Sequence, residues 1–212
     1  MSDVSILTLL TNPRRFFESL EERPVSLLRP ALFVIVAAFI SALSAYQISS
    51  LVATMMPELQ GMGPLLGGIG AFSAFVMVLL MWVIYTAIFF AISMVFRGQG
   101  TFGRLLSYVG YGFLPQAIGG LISFALSWDL LSNLRVPSIT DPTMIAEWTQ
   151  SLMKDPTMRL ASGISLLFIL WSANIWIFGV RTGRRLSTRD AVITVGLPTL
   201  LFIVYSIVTM VL

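Results

Sequence analysis

The chain contains no cysteine and no histidine, and Lys154 is its only lysine. The first absence removes disulfides and thiolate metal sites, and the second removes imidazole chemistry. A nucleophilic mechanism would need a serine or threonine activated by Lys154 or a carboxylate, and nothing in the sequence marks a serine as such a partner. Charge is scarce as well: 11% of the 212 residues are Asp, Glu, Lys or Arg, where a soluble domain has about a quarter. No signal peptide is expected from residues 1–11 (MSDVSILTLLT), which have neither a basic start nor a small-residue cleavage site. GQGTFG at 98–103 is not a phosphate-binding Walker loop, because it lacks the lysine and Arg104 does not stand at the required spacing. It reads as a flexible lead-in to the helix that follows. No enzymatic activity, cofactor or metal is expected.

Apolar residues make up most of the chain: 57% of it is hydrophobic and its mean hydropathy is +0.89. These residues gather into blocks near 30–55, 65–96, 105–131, 160–180 and 190–212, each long enough for the roughly 20 residues a bilayer requires. The expected fold is an all-α, five-span membrane bundle. It has a membrane domain over 30–212 and an amphipathic segment over 1–29. An outer loop over 132–159 joins the third and fourth spans. Residues 57–70, with Pro57 and Pro64, are open to either a re-entrant segment or a plain loop and helix start.

Orientation follows from the basic residues. Arg14, Arg15, Arg23 and Arg29, then Arg97 and Arg104, then Arg181, Arg184, Arg185 and Arg189 all fall on one side of a five-span chain; Arg135, Lys154 and Arg159 fall on the other. The expectation is a protein of the cytoplasmic membrane with its N-terminus inside and its C-terminus outside. The surplus of positive charge is then a topology signal and an attraction to anionic headgroups, not a sign of nucleic acid.

Helix ends are legible. Asn12-Pro13 supplies an N-cap and a proline at the first helical position. Behind it Phe16, Phe17 and Leu20 share one face, so this short amphipathic helix either lies in the interface or packs on the bundle. Asp141-Pro142 and Asp155-Pro156 repeat that grammar. They open an interfacial helix anchored by Trp148 and then the fourth span. Ser187-x-x-Asp190 resembles a capping box for the fifth.

Small residues recur every fourth position: Ala37, Ser41, Ala45, Ser49 and Ala53 in the first span, Gly63, Gly67 and Ala71 in the second, and Gly119, Ser123 and Ser127 in the third. Such columns let helices approach closely in lipid, within one bundle or across a homo-oligomer seam. Polar residues at depth are Gln47, Tyr85, Gln116 and Asn174. The third span carries YVGYGFLPQAIGG at 108–120. Pro115 deprives the Tyr111 carbonyl of its partner and crowds that turn, so a kink is expected there. Freed backbone groups must be covered by neighbours or enclosed water. Three readings stand side by side: a kinked packing helix, a functional hinge, or a site built from unwound backbone as in some transporters. The hinge or pathway residues would be Tyr111, Gly112, Pro115, Gln116 and Asn174. No span core has a carboxylate to couple transport.

NPRRFFESLEERP at 12–24, GQGTFGRLL at 98–106 and YVGYGFLP at 108–115 resemble the Yip domain family, five-span membrane proteins whose eukaryotic members interact with Rab-type GTPases in vesicle traffic. The likeness covers nearly the whole chain, and its short segment before the first span is similar to prokaryotic members. The resemblance implies fold and membrane location. Combined with the charge pattern, it leads to a membrane interaction scaffold or organising partner. Arg14, Arg15, Arg181, Arg184, Arg185 and Arg189 would then contact a protein partner or lipid headgroups. The alternative from a different class is a small channel or transporter beside Pro115.

Overall fold

The structure, a computed structural model, describes residues 5–59, 61–134 and 142–211. Among these residues there is no strand, and five stretches are long and apolar enough to cross a membrane. Two short helices come first, α1 (Ile6–Thr11) and α2 (Pro13–Glu18). The first span is α3 (Leu28–Met55), and a 3-10 turn at Pro57–Leu59 leads into α4 (Gly63–Val95). The third span is two helices, α5 (Phe102–Tyr111) and α6 (Phe113–Asn133). Then come α7 (Pro142–Met153), α8 (Pro156–Gly183) and α9 (Thr188–Val211). Residues 57–70 are therefore a turn and the start of α4, with Gln60 and most of the linker before α7, including Arg135 and Asp141, outside the described residues.

Caps form as the sequence grammar dictates. The Asn12 carboxamide oxygen accepts from the Arg15 amide at 3.1 Å, and the Asp155 carboxylate from the Thr157 amide at 2.7 Å. At the start of α9 the Ser187 hydroxyl donates to Asp190 at 2.7 Å and accepts its amide. The helix α1 was not expected. Ser5 caps it, Leu9 is buried beneath it, and the Trp171 indole donates to the Leu10 carbonyl.

The third span is the most enclosed: 44% of its most apolar stretch is buried inside the protein, against 11–33% for the other four. It runs between α3, α4 and α8, and its glycines make that possible. A Cβ at Gly110 would lie 3.1 Å from the Trp82 indole nitrogen, and one at Gly112 would collide with the Trp176 indole. The chain breaks at Gly112, which ends α5 and starts α6 while keeping ordinary right-handed dihedrals. Pro115 stands in the first turn of α6. Its effect falls one turn earlier because the missing N–H and the ring clash both act on residue i−4, Tyr111.

Backbone groups beside the break are covered by protein. The Trp176 indole donates to the Val109 carbonyl at 2.7 Å, and the Gly112 amide bonds the same oxygen at 3.0 Å. The Trp82 indole donates to the Leu106 carbonyl at 2.8 Å. Small-residue columns serve the neighbouring seams: Gly67 and Gly70 admit Ser50 and Ser49 of α3, and Gly119 admits the Phe168 ring, 2.5 Å from its would-be Cβ. Ser123 and Ser165 share a hydroxyl–hydroxyl bond of 3.0 Å between α6 and α8. Gly112→Ala is expected to displace the Trp176 indole and destabilise the bundle by about 1–3 kcal/mol, the usual cost of overpacking. Thermal unfolding in detergent beside Gly68→Ala, whose Cβ meets open space, measures it.

Candidate interaction face

The three basic segments meet at one end of the bundle. Arg104 donates to the Glu21 carbonyl at 2.6 Å, Ser107 to the Ser26 carbonyl at 2.8 Å, and the Gln99 amide to the Arg184 carbonyl at 2.8 Å. Burial of α2 fixes the N-terminal part. Phe16 and Phe17 are buried against Tyr108, Tyr111 and Ile175, with ring centroids 5.0 Å from Phe16 to Tyr111 and from Phe17 to Tyr108. Each such side chain contributes about 1.5–3 kcal/mol. The exposed ion pairs of Glu18 with Arg14 (2.9 Å) and Arg181 (3.4 Å) are worth at most about 1 kcal/mol each. So aromatic burial holds α2 down, and the charges trim its position. The Arg14 hydrogen bond, opposed by slight burial and aided by Arg181, keeps the Glu18 carboxyl below its ordinary value. That tie is complete above the ordinary carboxylate range and is lost as pH falls through the lowered value.

The six arginines singled out from sequence divide. Arg15, Arg185 and Arg189 are exposed; Arg14 and Arg181 share Glu18. Arg184 is only 3% exposed. Its Nε donates to Ser93 Oγ at 2.9 Å, Nη2 to the Gly98 carbonyl at 2.6 Å and Nη1 to the Gly100 carbonyl, while its guanidinium carbon sits 4.1 Å from the Phe90 ring centroid. Burial lowers its pKa from the ordinary value, and arginine is not deprotonated in proteins. Arg184 thus ties the end of α8 to the 98–101 loop, which is pinned where the sequence suggested flexibility. That loop's glycines also matter for contact, because a Cβ at Gly98 would meet the Ser93 carbonyl at 2.9 Å.

Two helix ends at this face share one geometry. α4 closes with Arg97 at φ 57°, and α8 with Arg185 at φ 53°. In each, the next residue's amide reaches back into the last turn: Gly98 to the Ser93 carbonyl and Leu186 to the Arg181 carbonyl, both at 2.9 Å. The paired bonds from Arg97 to Met94 and Arg185 to Thr182 complete Schellman closures. Glycine usually takes that left-handed position. Gly183 is the last residue of α8, and Tyr108 packs 3.0 Å from its would-be Cβ.

The residues expected at a hinge or pathway also separate. Tyr111 joins the aromatic cluster under α2, Gly112 is filled by Trp176, Pro115 is buried, and Asn174 is exposed on the outside of α8. Gln116 alone lines a cavity of about 340 Å3 at membrane depth, with Ser41, Ser44, Tyr85, Ser123 and Ser165 among its walls. Tyr85, Phe89, Phe113 and Trp176 pack together beside it, with centroids 5.2–6.4 Å apart. Sequence reading missed Ser93, the serine walls and the paired tryptophans, since each acts through a partner distant in the chain. Arg184→Ala should destabilise by at least about 1.5–3 kcal/mol, the worth of one charge-assisted hydrogen bond. Arg184→Lys, which cannot span three acceptors in a planar fork, should recover only part of that loss in the same melting assay.

A relative from Methanocaldococcus jannaschii, described only as an uncharacterized protein, is 33% identical over 126 residues, covering 59% of this chain and 89% of its own length. No solved structure matches the chain. The model of the Yip1 domain family matches residues 7–210, from the first short helix to the end of the fifth span. The chain belongs to the Yip1 domain family.

Proposed function

We propose that the protein is a non-enzymatic membrane scaffold that binds a protein partner through the arginine-rich end of its bundle, facing the cytoplasm. The observation that carries this reading is the pair of left-handed arginines. A non-glycine residue in that conformation costs roughly 1–2 kcal/mol, and glycine would close both helices without that cost. Retaining Arg97 and Arg185 there, both exposed, is accounted for when the guanidinium groups are themselves needed. Arg15 and Arg189 extend the same surface, and Glu18 and Glu21 line the shallow polar depression beside Arg185. Its mixture of signs favours a specific protein contact over a uniform attraction to charge.

Arg97→Gly/Arg185→Gly separates binding from stability. The double variant should be at least as stable as the parent, since relief of two left-handed residues offsets the added glycine entropy, yet recover much less partner from native membranes in mild detergent. Recovery equal to the parent, judged against an unrelated five-span control and Arg159→Gly, would remove the proposal.

The serine-lined cavity favours a second reading, passage of a small neutral solute beside Gln116. The aromatic group formed by Tyr85, Phe89, Phe113 and Trp176 would have to part for it. Gln116→Leu is then expected to change flux in reconstituted vesicles; no flux of ions or small solutes in the parent protein sinks that alternative.

A further inference from the structure

Behind α2, a pocket of about 210 Å3 is lined by Arg23, Arg29 and Arg104 together with Ser107, Tyr108 and Tyr111. A second, apolar pocket of about 290 Å3 adjoins it, sharing Arg29 and Tyr111 and walled by Ile6, Phe16, Leu32 and Phe33. We infer that the two pockets together form a binding site for one anionic phospholipid, with the phosphate among the three arginines and an acyl chain along the apolar groove.

Three observations lead there. First, the charge is uncompensated: among the described residues no carboxylate forms an ion pair with Arg23, Arg29 or Arg104. Arg104 spends one donor on the Glu21 carbonyl and keeps the others of its fork. Second, the Tyr108 hydroxyl is an orphan. The residue is 4% exposed, and its oxygen makes no hydrogen bond of ordinary geometry, although the Arg104 guanidinium lies close enough to donate weakly to it and the Glu21 carboxylate acts on it through space. A buried hydroxyl without a partner is costly, and a phosphate oxygen held by Arg104 would accept its proton. Third, the two pockets stand at the depths a lipid requires. Arg23 and Arg29 precede or open α3 and Arg104 opens α5, so the basic pocket lies at the ends of the spans. Leu32 and Phe33 are about 5 Å further along α3 at 1.5 Å per residue, toward the acyl region. A soluble anion would use the first pocket and leave the groove without an occupant.

This site is distinct from the proposed protein contact, since it uses none of Arg15, Arg97, Arg185 or Arg189. To test it, the full chain is placed in nanodiscs of equal phosphatidylcholine and phosphatidylglycerol, extracted, and its retained lipids are counted by native mass spectrometry. Phosphatidylglycerol should be retained over phosphatidylcholine, and Arg23→Gln/Arg29→Gln should lower that retention roughly thirtyfold, the size expected for two arginines at a membrane surface. Tyr108→Phe should lower it as well; a hydroxyl that is only an unmet group would leave retention unchanged. If the double variant fails to fold, Leu32→Trp, at an exposed position of the groove, blocks the chain site instead and should give the same loss. Equal retention by parent and folded variants overturns the inference. Displacement of the lipid by inorganic phosphate or glycerol phosphate overturns it too, and assigns the arginines to a soluble phosphate.

Discussion

Two indole N–H groups, from Trp82 on α4 and Trp176 on α8, bond the Leu106 and Val109 carbonyls, both in the turns leading up to Gly112, where the third span breaks. In hydrocarbon there is no water to satisfy such groups, so a broken helix survives only where protein supplies donors. Everything around the break serves that requirement. Gly110 and Gly112 have no side chain and so admit the indoles, while Pro115 makes the break by withholding an amide from Tyr111. The third span consequently becomes the axis of the bundle, and the spans bearing the tryptophans are drawn against it.

A second constraint acts where the helices emerge. The ends of α4 and α8 are stitched together by Arg184, which among the described residues pairs with no carboxylate and is instead divided among Ser93 and two loop carbonyls and faces the Phe90 ring. A lysine could not serve three acceptors in a plane. Burying this one arginine lets its neighbours stay outside. Arg97 and Arg185 project from closures built around left-handed backbone, so this face combines a rigid base with exposed positive charge. The same end houses α2, seated on Tyr108 and Tyr111 by two phenylalanines.

Between these two constraints the interior is uneven. The aromatic group around Trp176 closes the centre, and polar space collects beside it in the serine-lined cavity. On the far side of α5 it collects again in the arginine-lined pocket.

Local chemistry was readable from the chain. Span number follows from apolar length, because the bilayer demands about 20 apolar residues and the chain offers five such runs. Caps at Asn12, Asp155 and Ser187 follow from side chains that reach only their own first turn. The break near Pro115 follows from a missing donor. What tertiary structure alone decided are the matters settled between residues far apart in sequence. Arg184 and Arg185 are neighbours with the same side chain, yet one is buried and the other exposed, because helix rotation at the end of α8 turns only the first toward Ser93. Gln116 and Asn174 look alike as polar residues at depth, but only Gln116 faces the cavity. Trp82 and Trp176 read as apolar bulk until the glycines of another helix give their N–H groups a carbonyl. Composition and period set which segments enter the membrane; the packing of one helix surface on another set which polar atoms meet.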